Sequence, residues 1–176
     1  MTDEAPSGRE LWLTTGQMLL RRGGVVAVKL QALTDELGLT TGSFYHHFDG
    51  MKDYLDQLAR FYGAAQVRQN LELVDDRDPR ERLRHLGRIA RADRMVPLDA
   101  AMRDWAGSNP TAAASVKAAD EHLMLFVARA FEDLGYPSRE AQVRAQLLQS
   151  VGVARVIPPW KSLADDAELV LEILAP

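Results

Sequence analysis

The residues with chemical potential gather in one short stretch. His46, His47 and Asp49 lie close together, beside Tyr45 and a run of small residues, Thr40, Thr41, Gly42 and Ser43. A metal site is the first chemistry to weigh. Adjacent side chains on a helix diverge by about 100°, so His46 and His47 do not converge on one ion, and no metal or other cofactor is expected. Catalysis has no better footing. The sequence holds no cysteine, no glycine-rich phosphate loop, no nucleophile elbow and no His-Glu-x-x-His pattern. Pairs of Asp and Glu occur without a companion motif. The chain is not expected to be an enzyme.

Contact with nucleic acid suits the cluster better. Small side chains at the start of a helix let its backbone approach DNA. Its unpaired N–H groups and the positive end of its dipole suit phosphates. Thr, Ser, Tyr and His can reach base edges from a helix lying in a major groove about 12 Å wide.

The elements that would position this cluster are helices. Leu30, Leu33 and Leu37 have helical spacing and predict the buried side of a helix from about Lys29 to Leu37. Gly38 ends it and allows a sharp turn, with Leu39 as an apolar plug. Thr40 and Thr41 can cap the next helix, which reaches His47 or Phe48. Phe44 and Phe48 lie four apart and face inward. Upstream, a helix spans about Arg9 to Arg22, with Leu11, Trp12, Met18 and Leu19 as apolar positions and Gly23-Gly24 as its stop. Downstream, a long helix starts at Met51, with Leu55, Leu58, Phe61 and Tyr62 on one face and an end near Asn70.

Residues Gly42-Ser43-Phe44-Tyr45-His46-His47-Phe48 resemble the recognition-helix signature of TetR regulators. Gly24, Leu33 through Leu39, and Asp53-Tyr54-Leu55 fall at matching spacings, so the resemblance covers about Leu11 to Leu58. It implies an all-α protein of about nine helices. Residues 1–50 would be a three-helix DNA-binding domain with a helix-turn-helix. Residues 51–176 would bind a ligand and dimerise. It implies DNA contacts from Lys29, Thr40, Thr41, Gly42, Ser43, Tyr45, His46, His47 and Lys52. Two slots differ from the family pattern. Met51 stands where a lysine usually meets phosphate, and Lys52 follows it. Val28 replaces a common threonine, leaving only its backbone N–H for a phosphate.

The rest of the chain reads as further helices punctuated by Pro, Gly, Asn and Asp. They run from Pro79 to about Arg94, Pro97 to about Gly107, Pro110 to about Leu134, Ser138 to about Ile157 and Ser162 to Leu174, with Ser138 as a cap. The arginines at 80, 82, 84, 88, 91 and 94 predict a solvated, ion-paired helix side. His85 and His122 read first as ordinary helix residues. If the resemblance holds, an effector pocket draws on Phe61, Tyr62, His85, Ile89, Met102, Trp105, His122 and Phe126, with Arg103 as a further anchor. Such Met and aromatic spacing is equally that of a helical core. A dimer face is expected from Val143, Leu147 and Val151 on one helix and Leu163, Val170 and Leu174 on the last. The Ala167 and Leu171 positions belong to the same face.

Composition agrees with a globular chain: 47% of its 176 residues are hydrophobic and 26% charged. No apolar run approaches the roughly 20 residues of a membrane helix, and the polar, acidic start is unlike a secretory signal. A soluble cytoplasmic protein is expected. The net charge is −4. That disfavours a non-specific nucleic-acid binder and keeps a rival open, a helical interaction protein that has lost DNA binding. A TetR-like repressor released from operator DNA by a small molecule is the expected function.

Overall fold

The computed structural model describes residues 8–62, 71, 78–92, 95–153 and 166–175. Among them are nine α-helices, one 3-10 turn (Val25–Ala27) and no strand. The α-helices are α1 (Gly8–Gly23), α2 (Leu30–Leu37), α3 (Thr41–His47), α4 (Met51–Phe61), α5 (Pro79–Ala92), α6 (Met95–Ala106), α7 (Pro110–Asp133), α8 (Ser138–Val153) and α9 (Asp166–Leu174). The chain divides into two compact units. One comprises Met1–Ala65 with Pro97–Ala118, and the other Gln66–Val96 with Ala119–Pro176.

In the first unit, α1 is the central element. Trp12, Leu13, Gly16, Leu19 and Leu20 are buried along it at spacings of three and four. Leu11, expected inside, is exposed. The neighbouring Trp12 and Leu13 take the inward face instead. Phe44 of α3 packs edge-on to Trp12 at 5.4 Å and lies 5.4 Å from Tyr54 of α4. Phe48 lies 5.1 Å from Phe44 and 4.9 Å from Tyr54. Each such aromatic pair adds about 0.5–1.5 kcal/mol beyond area burial. The Tyr54 hydroxyl donates to the Trp12 carbonyl at 2.8 Å, and burial pushes its pKa above the usual tyrosine range. These contacts fix α3 and α4 against α1.

Gly16 makes the crossing possible. A Cβ there would lie 2.0 Å from the Tyr54 hydroxyl and 3.0 Å from a Leu58 methyl. Tyr62, at the end of α4, donates to Asp99 of α6 at 2.7 Å, and Arg103 donates to the same carboxylate at 2.7 Å.

In the second unit, small residues bring helices close. Ala141 and Ala145 on α8 and Ala128 and Ala130 on α7 are buried around Phe131, with Leu83 of α5 completing the cluster. Leu171 and Leu174 of α9 pack against it. The last carbonyls of a helix lack intrahelical partners. Here Arg144 of α8 donates to Leu174 O, and Arg80 of α5 to Ala175 O. Arg144 also lies 4.0 Å over the Tyr136 ring and bonds Glu140. Arg144→Ala is expected to cost about 2 kcal/mol, from one charged hydrogen bond and one cation–π contact. Thermal unfolding would read the loss, and an unchanged midpoint would contradict this clamp on α9.

The structure corrects several local expectations. Leu39 is exposed and is no plug; its N–H closes the turn by bonding Thr34 O at 3.2 Å. Arg82 is buried and ion-paired to Asp133, so it does not belong to a solvated side. Arg84 and Arg88 do pair with Glu81, at 2.9 and 3.7 Å. Pro137, whose carbonyl accepts from Ala141 N–H at 2.9 Å, takes the cap position expected of Ser138. Pro97 lies inside the first turn of α6, two residues after its start, where a missing N–H costs nothing.

Candidate nucleic-acid interface

Gly38 adopts the left-handed conformation, φ 63° and ψ 26°, directly after α2. A side chain there would cost roughly 1–2 kcal/mol. The chain then reverses through Leu39 to Thr40, which is extended and caps α3. Its hydroxyl accepts from Ser43 N–H at 3.3 Å. The cap starts α3 with Thr41, Gly42 and Ser43, whose N–H groups point away from the helix body.

The polar face of α3 is open. Thr40, Thr41, Gly42, Tyr45 and His46 are exposed, and Ser43 is half-buried. Thr41 and Tyr45 are four apart and share a face. Phe44 and Phe48 are 0% and 2% exposed, which divides the helix into a packed side and an accessible one. The Tyr45 ring is edge-on to Phe44 at 5.4 Å, so its direction is fixed by the core. The two histidines differ. His47 is half-buried against the first residue of α1, where a Cβ on Gly8 would lie 3.0 Å from its Nε2. His46 is the accessible one of the pair. Among the described residues no group of three metal-ligating side chains occurs.

Flanking positive charge is sparse. Lys29, at the start of α2, and Lys52, in the first turn of α4, are exposed. Arg22 is ion-paired with Glu36, which offsets its charge and neutralises one opposing carboxylate. Met51 is half-buried. Val28 is a core residue, 4% exposed, and its N–H bonds Val25 O at 3.1 Å. The N–H expected to remain for a phosphate is therefore used inside the protein.

One group of residues escaped the sequence reading. Arg9 of α1 donates from Nε to Gln57 Oε1 at 2.8 Å. Gln57 donates from Nε2 to both oxygens of Asp53 at 2.8 Å, and Asp53 accepts from Asp49 N–H at 3.0 Å. The bond from Gln57, then that from the Asp49 amide, hold the Asp53 carboxyl below the usual carboxylate range, with the Arg9 charge a smaller aid. The interaction is thus present above that range and is lost only as pH falls through the lowered pKa. An acidic residue four positions before a glutamine on one helix is too common a pattern to single out without the fold.

The expected effector residues divide between the units. Phe61, Tyr62, Met102 and Trp105 belong to the first, where Met102 and Trp105 are buried core and Tyr62 bonds Asp99. Phe61 lines an open groove of about 440 Å³ with Arg9, Glu10, Leu13, Gln57 and Arg60. His85, His122 and Phe126 belong to the second unit. Phe126 packs against its core, and His85 Nδ1 is 3.4 Å from Arg88. The side chain of Ile89 lies outside the described residues. On α8, Val143, Leu147 and Val151 are 42%, 51% and 59% exposed, an outward row at spacings of four. On α9 the outward row is Leu169 and Ile173, at 53% and 67%. Leu174 faces the unit's own core and Val170 is half-buried. Leu163 and the Ala167 side chain lie outside the described residues.

Residues 13–58 match the family model described as bacterial regulatory proteins, tetR family. No curated protein sequence matches the chain. Among solved structures, the fold is similar to that of reduced E. coli NemR, with a TM-score of 0.65 and 21% sequence identity. That match covers 96% of this chain and 95% of the other, so the likeness of fold extends well beyond the helix-turn-helix. The stretch that carries α2, α3 and the turn at Gly38 is thus similar to the N-terminal domain of tetR-family bacterial regulatory proteins.

Proposed function

We propose that the protein is a homodimeric repressor that holds operator DNA through α3 and releases it when a small molecule binds. The observation that carries the reading is the two-sided α3, with exposed Thr40, Thr41, Gly42, Tyr45 and His46 backed by buried Phe44 and Phe48. Thr41 and His46 face the bases, while Tyr45, Lys29, Lys52 and the first N–H groups of α3 meet phosphates. One short helix face reads too few base pairs for a unique site, so affinity depends on two copies spanning two half-sites.

The outward apolar rows support the dimer. Val143, Leu147 and Val151 on α8, with Leu169 and Ile173 on α9, are covered by the same rows of a second copy. Leu147→Glu changes a half-exposed side chain outside the buried core, yet places an unpaired charge in the proposed interface. The variant is expected to melt as a folded chain and to sediment as a monomer at micromolar concentration. A dimer as tight as wild type would overturn this assignment.

The effector acts by differential affinity. It binds the helices after Met51 and favours a placement of α4 that DNA disfavours, so each ligand weakens the other by one shared coupling energy. A compound that stabilises the free protein should therefore weaken the DNA complex by the factor that DNA weakens the compound. Calorimetry with and without duplex measures both factors. The rival reading, an interaction protein without DNA binding, draws on the net charge of −4 and the pairing of Arg22 with Glu36. A footprint on the DNA upstream of the chain's own gene separates the two.

A further inference from the structure

We propose that Gln57 is a positioning residue for DNA recognition, joining Arg9 of α1 to Asp53 of α4 and so fixing the turn between α3 and α4. The inference rests on the reading of α3 as the DNA-contacting helix.

The turn is short. Phe48 ends α3, and α4 begins three residues later at Met51. The direction of α3 relative to α4 is set by the backbone of Phe48, Asp49 and Gly50. Asp49 N–H is held by the Asp53 carboxylate at 3.0 Å. That carboxylate is held by both hydrogen bonds from the Gln57 amide. The amide oxygen, pointing the other way, accepts from the Arg9 guanidinium. The same guanidinium lies 5.9 Å from the centroid of the Phe48 ring, the residue that ends α3.

The chain of contacts thus starts on α1 and returns to the exit of α3. The amide completes it by accepting at one end and donating at the other. A carboxylate at position 57 would accept from Arg9 but could not donate to Asp53, and an amine could not accept from Arg9. Gln57 is half-buried and stands outside the polar face of α3, so it does its work without touching DNA. Because Gln57 belongs to α4, it also makes α1, the α3 exit and α4 move together. A shift of α4 would then be passed to α3 with little loss.

The test uses the full chain and a duplex that the wild-type protein selects from a random-sequence pool, with an unrelated duplex of equal length beside it. Gln57→Leu is expected to bind the selected duplex at least tenfold more weakly and to bind the unrelated duplex nearly as wild type. A purely structural role would lower both together with the melting temperature. Arg9→Ala is expected to act through the same contact, so adding it to Gln57→Leu should cost the selected duplex much less than it costs wild type. Amide exchange at Asp49 should rise in both variants while that of α1 core amides stays unchanged. Equal losses on both duplexes, additive effects, or protection at Asp49 unaltered by Gln57→Leu would each overturn the proposal. If the wild-type protein selects no duplex, the reading of α3 falls, and this inference with it.

Discussion

Gly16→Ala is expected to unfold or loosen the DNA-binding unit, although alanine is the better helix former by about 1 kcal/mol. The reason is the crossing of α1 and α4. The new methyl would fall 2.0 Å from the Tyr54 hydroxyl, with Leu58 methyls at 3.0 and 3.1 Å behind it. Overpacking costs about 1–3 kcal/mol. Displacing the hydroxyl from Trp12 O leaves a buried donor unpaired, about 1–3 kcal/mol more. The net loss is about 1–5 kcal/mol, read as a fall in melting temperature. The exposed neighbour Thr14→Ala should be close to neutral. The double variant Gly16→Ala with Tyr54→Phe supplies the sharper check. Removing the hydroxyl opens room for the methyl, so part of the loss should return. Additive losses would show that the clash does not set the spacing of these helices.

Tyr45→Ala should leave the fold intact and weaken the DNA complex at least tenfold. The side chain is 59% exposed, so little core is lost. Its ring nevertheless rests edge-on against Phe44 at 5.4 Å, so the core holds it in place. A hydrogen bond to a phosphate is worth about 1.5–3 kcal/mol, and tenfold is about 1.4. Tyr45→Phe isolates the hydroxyl from the ring. A fluorescence anisotropy titration of the two variants against wild type decides the matter. Wild-type affinity for Tyr45→Ala would remove Tyr45 from the site.

The helix-turn-helix was legible because its signals are local. The glycine at 38 needs a left-handed turn, threonine at 40 offers a cap, and Phe44 and Phe48 mark the packed face. All three take the expected places. What crosses between helices was not legible. Nothing in the run around Gly16 announces that Tyr54 approaches it, and nothing around Gln57 announces Arg9. The same limit explains the last helix. Its apolar residues lie on two sides, and only packing reveals that Leu171 and Leu174 face the core while Leu169 and Ile173 face out. Arg82 was misread for the matching reason, since its partner Asp133 stands on another helix.

The central claim is that α3 reads DNA in a dimer with a thin basic surround. Its most direct test is binding of a selected duplex by the full chain across a salt series. Lys29 and Lys52 from each copy would neutralise about four phosphates, giving a log–log slope of about −4. The account predicts tight, sequence-dependent binding with a slope near that value. A folded dimer that selects no duplex even at low salt, or one that binds every duplex alike with a slope near about −10, would contradict it.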